Sequence, residues 1–137
     1  MIPGSCLCGK IQYELSGEPV NAVMCFCNNC RKTTGSLGMA NSWYTKQNFK
    51  FTKGADDIRT YEDHATDSGA TVERSFCPNC GSPLVAMNAK YPDLVIVTYG
   101  TMELGEGQTW KPGMEFFCKR KIEWLGTPAE TRKFHEL

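Results

Sequence analysis

The chain has 137 residues, and its 15 Lys and Arg residues balance its 15 Asp and Glu residues, so the formal net charge is zero. This balance argues against nucleic-acid binding by bulk electrostatics, which requires an excess of basic residues. No apolar run approaches the ~20 residues that span a bilayer, and the first residues lack the basic and apolar regions of a secretory signal. We therefore expect one domain, residues 1–137, in the cytoplasm, with no membrane or nucleic-acid partner.

The chain is predicted to form short strands separated by turns. Alternation of Ile11, Tyr13 and Leu15 predicts a half-buried strand, and Val20–Met24 predicts the next one. Gly17–Pro19 between them is typical of a hairpin turn. Asn28–Thr34 is expected to form one helical turn that ends at Gly35. Further strands are predicted at residues 39–44, 49–52, 58–61, 71–76, 83–87, 94–99 and 116–119, with 94–99 the most buried.

No window of about 12 residues shows convincing helical periodicity. Many short strands with turn signals between them indicate an all-β sandwich or open barrel. The fold class is therefore predicted to be all-β.

Eight cysteines make this sequence unusual. Their close spacing favours metal ligation over a disulfide framework, because cysteines one to three residues apart rarely reach disulfide geometry with each other. Cys6 and Cys8 offer two thiolates, and the knuckle-like turn of Cys77 and Cys80, followed by Gly81, offers two more. Four thiolates suit a closed structural zinc site that would join the N-terminal strands to a distant part of the chain.

Cys25, Cys27 and Cys30 form a second group. Three protein ligands with an open fourth position are typical of a catalytic zinc site, so we expect two zinc ions per chain. The alternative is that Cys118 completes this group as a second closed site. His64 and His135 have no metal-ligand spacing to any other ligand, and both are expected at the surface.

Three ordered motifs resemble those of one known family. They are Gly4-Ser5-Cys6-Leu7-Cys8-Gly9-Lys10-Ile11, then Cys25-Phe26-Cys27-Asn28-Asn29-Cys30-Arg31-Lys32-Thr33-Thr34-Gly35, then Arg74-Ser75-Phe76-Cys77-Pro78-Asn79-Cys80-Gly81-Ser82-Pro83-Leu84. The sequence resembles the glutathione-dependent formaldehyde-activating enzymes, whose domain is shared with centromere protein V, from about Gly4 to Trp124.

The resemblance implies a β-tent fold of antiparallel sheets held by zinc. It implies a structural zinc on Cys6, Cys8, Cys77 and Cys80, and a second zinc on Cys25, Cys27 and Cys30 at the active site. The implied activity is that of a carbon–sulfur lyase, in which a glutathione-like thiol adds to a small aldehyde such as formaldehyde. The expected partners are therefore a small-molecule thiol and an aldehyde.

In this interpretation Cys25, Cys27, Cys30 and Arg31 are the catalytic candidates, because a metal-bound thiol loses its proton and Arg31 adjoins the last ligand. Thr33 and Thr34 either contact substrate or cap the helical turn, and Phe26 and Trp43 either form the walls of the pocket or pack in the core.

Two other functions stay open. The domain can be a non-catalytic zinc-binding module for a protein or a ligand. The three cysteines of the second group can also be a reactive redox set, since closely spaced cysteines do such chemistry.

Overall fold

The computed structural model describes residues 1–137 as two β-sheets, one α-helix and three short 3₁₀ helices. The strands are β1 (Ile2–Ser5), β2 (Gln12–Leu15), β3 (Asn21–Cys25), β4 (Met39–Thr45), β5 (Phe49–Lys53), β6 (Arg59–Asp63), β7 (Val72–Phe76), β8 (Pro83–Asn88), β9 (Leu94–Thr98), β10 (Met114–Phe116) and β11 (Arg132–Lys133). Helix α1 spans Asn28–Thr34, and the 3₁₀ helices span Lys46–Asn48, Tyr99–Thr101 and Cys118–Arg120. The all-β prediction is confirmed.

The smaller sheet has the order β1-β2-β5, and the larger one has the order β11-β10-β3-β4-β9-β8-β7-β6. All pairs are antiparallel except that β10 runs parallel to both β3 and β11. The predicted antiparallel arrangement therefore holds for both sheets apart from this edge, where a long connection brings the C-terminal part of the chain beside β3.

The larger sheet is covered by apolar side chains on both faces. On β4, Tyr44 belongs to a core shared with the smaller sheet, whereas the adjacent Trp43 belongs to a second core. On β9, Val95 and Val97 face the first core and Ile96 faces the second. Since successive strand residues point to opposite faces, the two cores lie on opposite sides of the larger sheet.

Several local expectations were wrong. The turn at 17–19 does not make a hairpin, because β2 pairs with β1 and β5 while β3 pairs with β4 and β10. Five of the seven residues of β4 are buried, against three of five in β9, so β4 is the more buried strand. The strand expected at 116–119 ends at Phe116, because Phe117 adopts a left-handed conformation (φ 56°) and the chain turns into a 3₁₀ helix.

Helix α1 agrees with the sequence-based expectation, although it is longer than a single turn. It ends at Gly35, whose φ of 64° places it in the left-handed region that favours glycine, and whose N–H bonds to the carbonyls of Arg31 and Lys32. No helix in the structure has both the length and the apolar character needed to cross a bilayer.

A buried carboxylate ties the C-terminal segment to β10. Glu115 is fully buried, and its Oε1 accepts hydrogen bonds from Lys121 Nζ at 2.7 Å and Thr127 Oγ1 at 2.8 Å. Its Oε2 accepts the hydroxyl of Thr131 and lies 3.3 Å from Lys133 Nζ. Burial alone raises the pKa of this carboxyl, but these bonds outweigh it and lower the pKa to about 2.

Candidate active site and metal centres

Four cysteine sulfurs meet where the β1–β2 connection approaches the β7–β8 connection. The Sγ atoms of Cys6, Cys8, Cys77 and Cys80 all lie within 4.8 Å of one another. The Cys6–Cys8 sulfurs are 3.6 Å apart and the Cys8–Cys77 sulfurs are 3.8 Å apart. Zinc bound tetrahedrally at ~2.3 Å from each sulfur requires sulfur separations of ~3.8 Å, so this donor set fits a closed zinc site.

Backbone hydrogen bonds shape the two turns that carry these sulfurs. Cys77 N–H donates to the carbonyl of Ser82 at 3.1 Å, and Gly81 N–H donates back to the carbonyl of Cys77 at 2.9 Å. Leu7 N–H donates to Ser82 Oγ at 3.0 Å, which links the two turns directly. The N–H of Ile11 points at the Cys6 sulfur at 3.3 Å, a contact that stabilises a thiolate.

The second group occupies the end of β3 and the start of α1. Cys25 is the last residue of β3, Cys27 is the N-cap of α1, and Cys30 is buried within the helix. Their sulfurs also lie within 4.8 Å of one another. The Cys27 sulfur accepts the N–H of Cys30 at 3.2 Å, which is the bond that a Ser or Asp side chain usually accepts at this position.

The three neighbouring sulfurs shift one another's pKa values. The Cys25 and Cys30 side chains beside the Cys27 sulfur hold the pKa of Cys27 below its usual range. The Cys30 N–H and the positive charge of Arg74 act in the same direction, against the effect of burial. The neighbouring Cys27 and Cys30 side chains, together with burial, raise the pKa of Cys25.

Arg74 is a functional candidate that sequence reasoning missed. Its Nε donates to Asp63 Oδ2 at 2.9 Å, and this ion pair is largely buried. Asn29, on α1, donates from Nδ2 to both oxygens of Asp63, at 3.0 and 2.8 Å. Burial opposes ionisation of Asp63, but the bonds from Arg74 and Asn29 outweigh it and lower its pKa. Arg74 opens the third motif, yet its sequence position gives no sign that it faces the second cysteine group.

The loop at residues 64–71 is held against the same site. Asp67 accepts the N–H of Asn28, at the start of α1, at 3.2 Å. The guanidinium of Arg120 binds both Asp67 oxygens, at 2.9 and 3.1 Å. These contacts place Thr66, Asp67 and Ser68 at the wall of a cavity.

This cavity is partly open to solvent and has the second cysteine group in its wall. Strands β3, β4, β7, β8 and β9 supply most of the lining, together with the loop and the segment after β10. The lining residues are Val23, Cys25, Cys27, Cys30, Met39, Asn41, Trp43, Thr66, Asp67, Ser68, Val72, Arg74, Ala86, Asn88, Ile96, Phe116, Phe117 and Leu137.

The structure brings some of the predicted site residues to this cavity and leaves others away from it. Trp43 lines the cavity, where its Nε1 donates to Asn41 Oδ1 at 2.7 Å. Phe26 is fully buried but is not part of the lining. Arg31 is exposed and does not line the cavity, because it lies on the outward side of α1. The cation at the cavity is Arg74.

Other candidates have structural roles or lie elsewhere. Thr34 Oγ1 donates to the carbonyl of Cys30 at 2.8 Å, which favours the capping interpretation, and Thr33 is not in the cavity lining. Cys118 is not in either sulfur cluster, and its Sγ lies 3.6 Å from the carbonyl of Glu115. His64 and His135 are exposed, as predicted.

The donor chemistry of both groups fits zinc, which binds thiolates in tetrahedral sites. Four sulfurs complete one such site. The three sulfurs of the other group lie together in the wall of the cavity, where they could bind a metal ion. The fold and the two thiol groups thus define a small β protein suited to binding metal ions by cysteine alone.

Comparisons with known proteins identify the family of this chain. The family described as "Glutathione-dependent formaldehyde-activating enzyme" matches residues 1–120. A Halomonas elongata protein named "Putative glutathione-dependent formaldehyde-activating enzyme" is 30% identical over 96 residues, which cover 69% of this chain and 61% of that protein. A crystal structure of a Rhodobacter sphaeroides protein superposes with a TM-score of 0.59 at 22% identity, covering 78% of this chain and 90% of the other, and shows the fold alone.

The family match covers most of the chain. The chain therefore belongs to the glutathione-dependent formaldehyde-activating enzyme family.

Proposed function

We propose that the chain is a carbon–sulfur lyase that adds a glutathione-like thiol to a small aldehyde, and reverses that addition, at the second cysteine group. The observation that carries the proposal is the shared position of three thiols and one guanidinium in the wall of a single cavity. Family membership and the name of the Halomonas relative support the same reaction.

We propose two zinc ions per chain. Cys6, Cys8, Cys77 and Cys80 would hold the structural ion, and Cys25, Cys27 and Cys30 would hold the other. A zinc ion at the second site would lower the pKa of an added thiol and favour its thiolate. Clusters of metal-binding cysteines suit a reducing compartment, and we place the protein in the cytoplasm.

Residues of the chain supply the remaining functions. Arg74 presents positive charge where the carbonyl oxygen of the aldehyde becomes negative, and Asp63 fixes the orientation of the guanidinium. The terminal nitrogens of Arg74 make no hydrogen bond within the chain, so they are available to that oxygen. The apolar wall around Trp43 and Phe116 excludes water and strengthens this interaction.

The test must separate catalysis from the spontaneous reaction, since thiols add to formaldehyde without help. Exchange spectroscopy by NMR measures, at equilibrium, the rate at which glutathione and its formaldehyde adduct interconvert. The zinc-loaded protein should raise this rate above the protein-free blank, and Cys27→Ser should return it to the blank. Cys118→Ser is the matched control, because Cys118 is outside both clusters. A wild-type rate equal to the blank would instead favour the non-catalytic binding module.

A further inference from the structure

We infer that the cavity beside the second cysteine group holds an uncharged, apolar substituent of the aldehyde, so that the preferred aldehyde is aliphatic or aromatic and larger than formaldehyde. This inference rests on the proposed function, since it names the substrate class of the same site. It follows from what lines the cavity and from which charges there are already neutralised.

The floor of the cavity is an apolar row across neighbouring strands. Trp43 on β4 pairs with Ile96 on β9, and Ile96 pairs with Ala86 on β8. All three are largely buried and line the cavity. Formaldehyde carries only hydrogens on its carbonyl carbon and would leave this row without a partner. An alkyl or aryl substituent would bury apolar surface against it, which is favourable in proportion to the area removed from water.

Phe116 and Phe117 extend the apolar wall next to the cysteines. The ring of Phe116 packs edge-on against Trp43, with centroids 5.7 Å apart, and also against Phe134 at 5.5 Å. These contacts fix the orientation of the Phe116 ring, so the wall is preformed. A preformed apolar wall costs little to organise when a ligand binds.

The charged side chains of the cavity, apart from the cysteines, are Arg74 and Asp67. Arg74 is paired with Asp63 at 2.9 Å through Nε, and in the proposed reaction its terminal nitrogens bind the carbonyl oxygen of the aldehyde. Asp67 is paired with Arg120 at 2.9 Å. No second cation is present in the lining to neutralise the two carboxylates of a glutathione-like peptide. Because a carboxylate placed there without a partner would lose its hydration, the charged ends of the thiol must stay at the open side of the cavity. The inner volume is then left to the aldehyde's substituent.

The reaction on such an aldehyde balances without an oxidant or a reductant. The thiol sulfur forms a bond to the carbonyl carbon, and the C=O double bond becomes a single bond. The thiol proton ends on the former carbonyl oxygen, beside Arg74. The substituent stays attached to the same carbon throughout and is the part that enters the cavity.

Binding tests the inference separately from catalysis. S-methyl-, S-butyl- and S-hexylglutathione carry alkyl groups where the adduct carries its own carbon substituent. Isothermal titration of each into the zinc-loaded full-length protein should show affinity rising by about fourfold per added methylene until the cavity is filled. Affinity that does not change with chain length would overturn the inference.

Variants of the cavity floor sharpen this test. Ala86→Leu adds volume inside the cavity and should abolish the gain from butyl to hexyl. Ala89→Leu is the matched control, because Ala89 is exposed and outside the cavity, and it should leave the whole series unchanged. If Ala86→Leu does not fold, Ile96→Ala replaces it: this variant cannot overpack the cavity and should weaken S-hexylglutathione several-fold while leaving S-methylglutathione unchanged.

Turnover distinguishes failure of the inference from failure of the proposed function. At a fixed glutathione concentration, the ratio of the enzyme-catalysed rate to the protein-free rate should be at least tenfold higher for butanal, hexanal and benzaldehyde than for formaldehyde. If formaldehyde is turned over but the affinity for the S-alkylglutathiones does not change with chain length, the proposed function is supported and the inference is overturned. Chain-length-dependent binding without turnover of any aldehyde would support the apolar site and overturn the proposed reaction.

Discussion

The Nε of Arg74 lies 2.9 Å from Oδ2 of Asp63, and this contact joins β7 to the last residue of β6 beside the second cysteine group. Asn29 of helix α1 binds the same carboxylate from the other side. A single carboxylate therefore holds both the guanidinium and the helix that carries Cys30. The orientation of the cation and the position of the sulfurs depend on the same residue.

The first prediction concerns the guanidinium. Arg74→Ala should lower kcat/KM for adduct formation by about 100-fold, because in the proposed reaction the guanidinium charge stabilises the developing oxyanion. Asp63→Asn should cause a smaller loss, since the charge remains while its orientation is released. The measurement is exchange spectroscopy of each variant under identical conditions. Arg31→Ala provides the comparison, because the sequence suggested Arg31 as the catalytic cation. If Arg31→Ala lowers kcat/KM more than Arg74→Ala does, Arg31 is the catalytic cation.

The second prediction concerns metal content. Elemental analysis should find two zinc ions per wild-type chain and one in Cys25→Ser, because that variant keeps the four-sulfur site intact. Cys118→Ser should retain two. Dialysis against glutathione should remove one zinc from the wild type, because the three-cysteine site is accessible from the cavity. Two ions that resist exchange would contradict an open second site, and a single ion from the outset would favour the redox interpretation.

The third prediction concerns acid stability. The folded-state pKa of Glu115, about 2, lies below the value of about 4.5 for an exposed glutamate. Its charge therefore contributes stability above pH 4.5, and this contribution is lost as the pH falls from there towards 2. The expected contribution at neutral pH is about 3 kcal/mol.

Glu115→Gln tests this directly. The difference in free energy of unfolding between wild type and Glu115→Gln, measured with denaturant at several pH values, should be largest near pH 7 and shrink below pH 4.5. Using the difference cancels the acid sensitivity of the metal sites, which both proteins share. A difference that stays constant from pH 7 to pH 3 would contradict the role of the carboxylate charge.

The fourth prediction concerns the contact between the two strands of the N-terminal hairpin. A Cβ added at Gly4 would lie 2.0 Å from Cζ of Tyr13, so the ring would have to move. Tyr13 is buried, and its hydroxyl is 2.7 Å from Thr101 Oγ1. Gly4→Ala should lower the free energy of unfolding by about 1–3 kcal/mol. Gly126→Ala, where an added Cβ meets nothing within 4 Å, is the control and should change it little.

The cysteine clusters were predictable because their pattern is local. The spacing of Cys25, Cys27 and Cys30 is short enough for one turn to bring their sulfurs together, and the Cys77–Cys80 turn is equally self-contained. Cys6 and Cys8 could be assigned to the same site as Cys77 and Cys80, because a closed zinc site needs four ligands and each pair supplies only two. The structure agrees with that partition.

The rest depends on long-range pairing that no short pattern reveals. Arg74 reaches the second cysteine group only because β7, β8, β9 and β4 are adjacent in the larger sheet. Residues 17–19 separate β2 from β3, but a turn signal in the sequence does not say which sheet the next strand joins. Strand β1 contains Pro3 and Gly4, which have low strand propensity, and it forms because β2 offers it a partner.

The cysteines of the two clusters belong to cores on opposite faces of the larger sheet. Residues such as Trp43 and Ile96 face one side, and their immediate neighbours Tyr44 and Val97 face the other. Alternate residues of the same strands therefore line the cavity on one face of the sheet and pack in the core of the four-cysteine site on the other. A library that randomises only positions 43, 86 and 96 would change the floor of the cavity and leave the core beside the four-cysteine site intact. The fold is therefore a practical starting point for directed evolution.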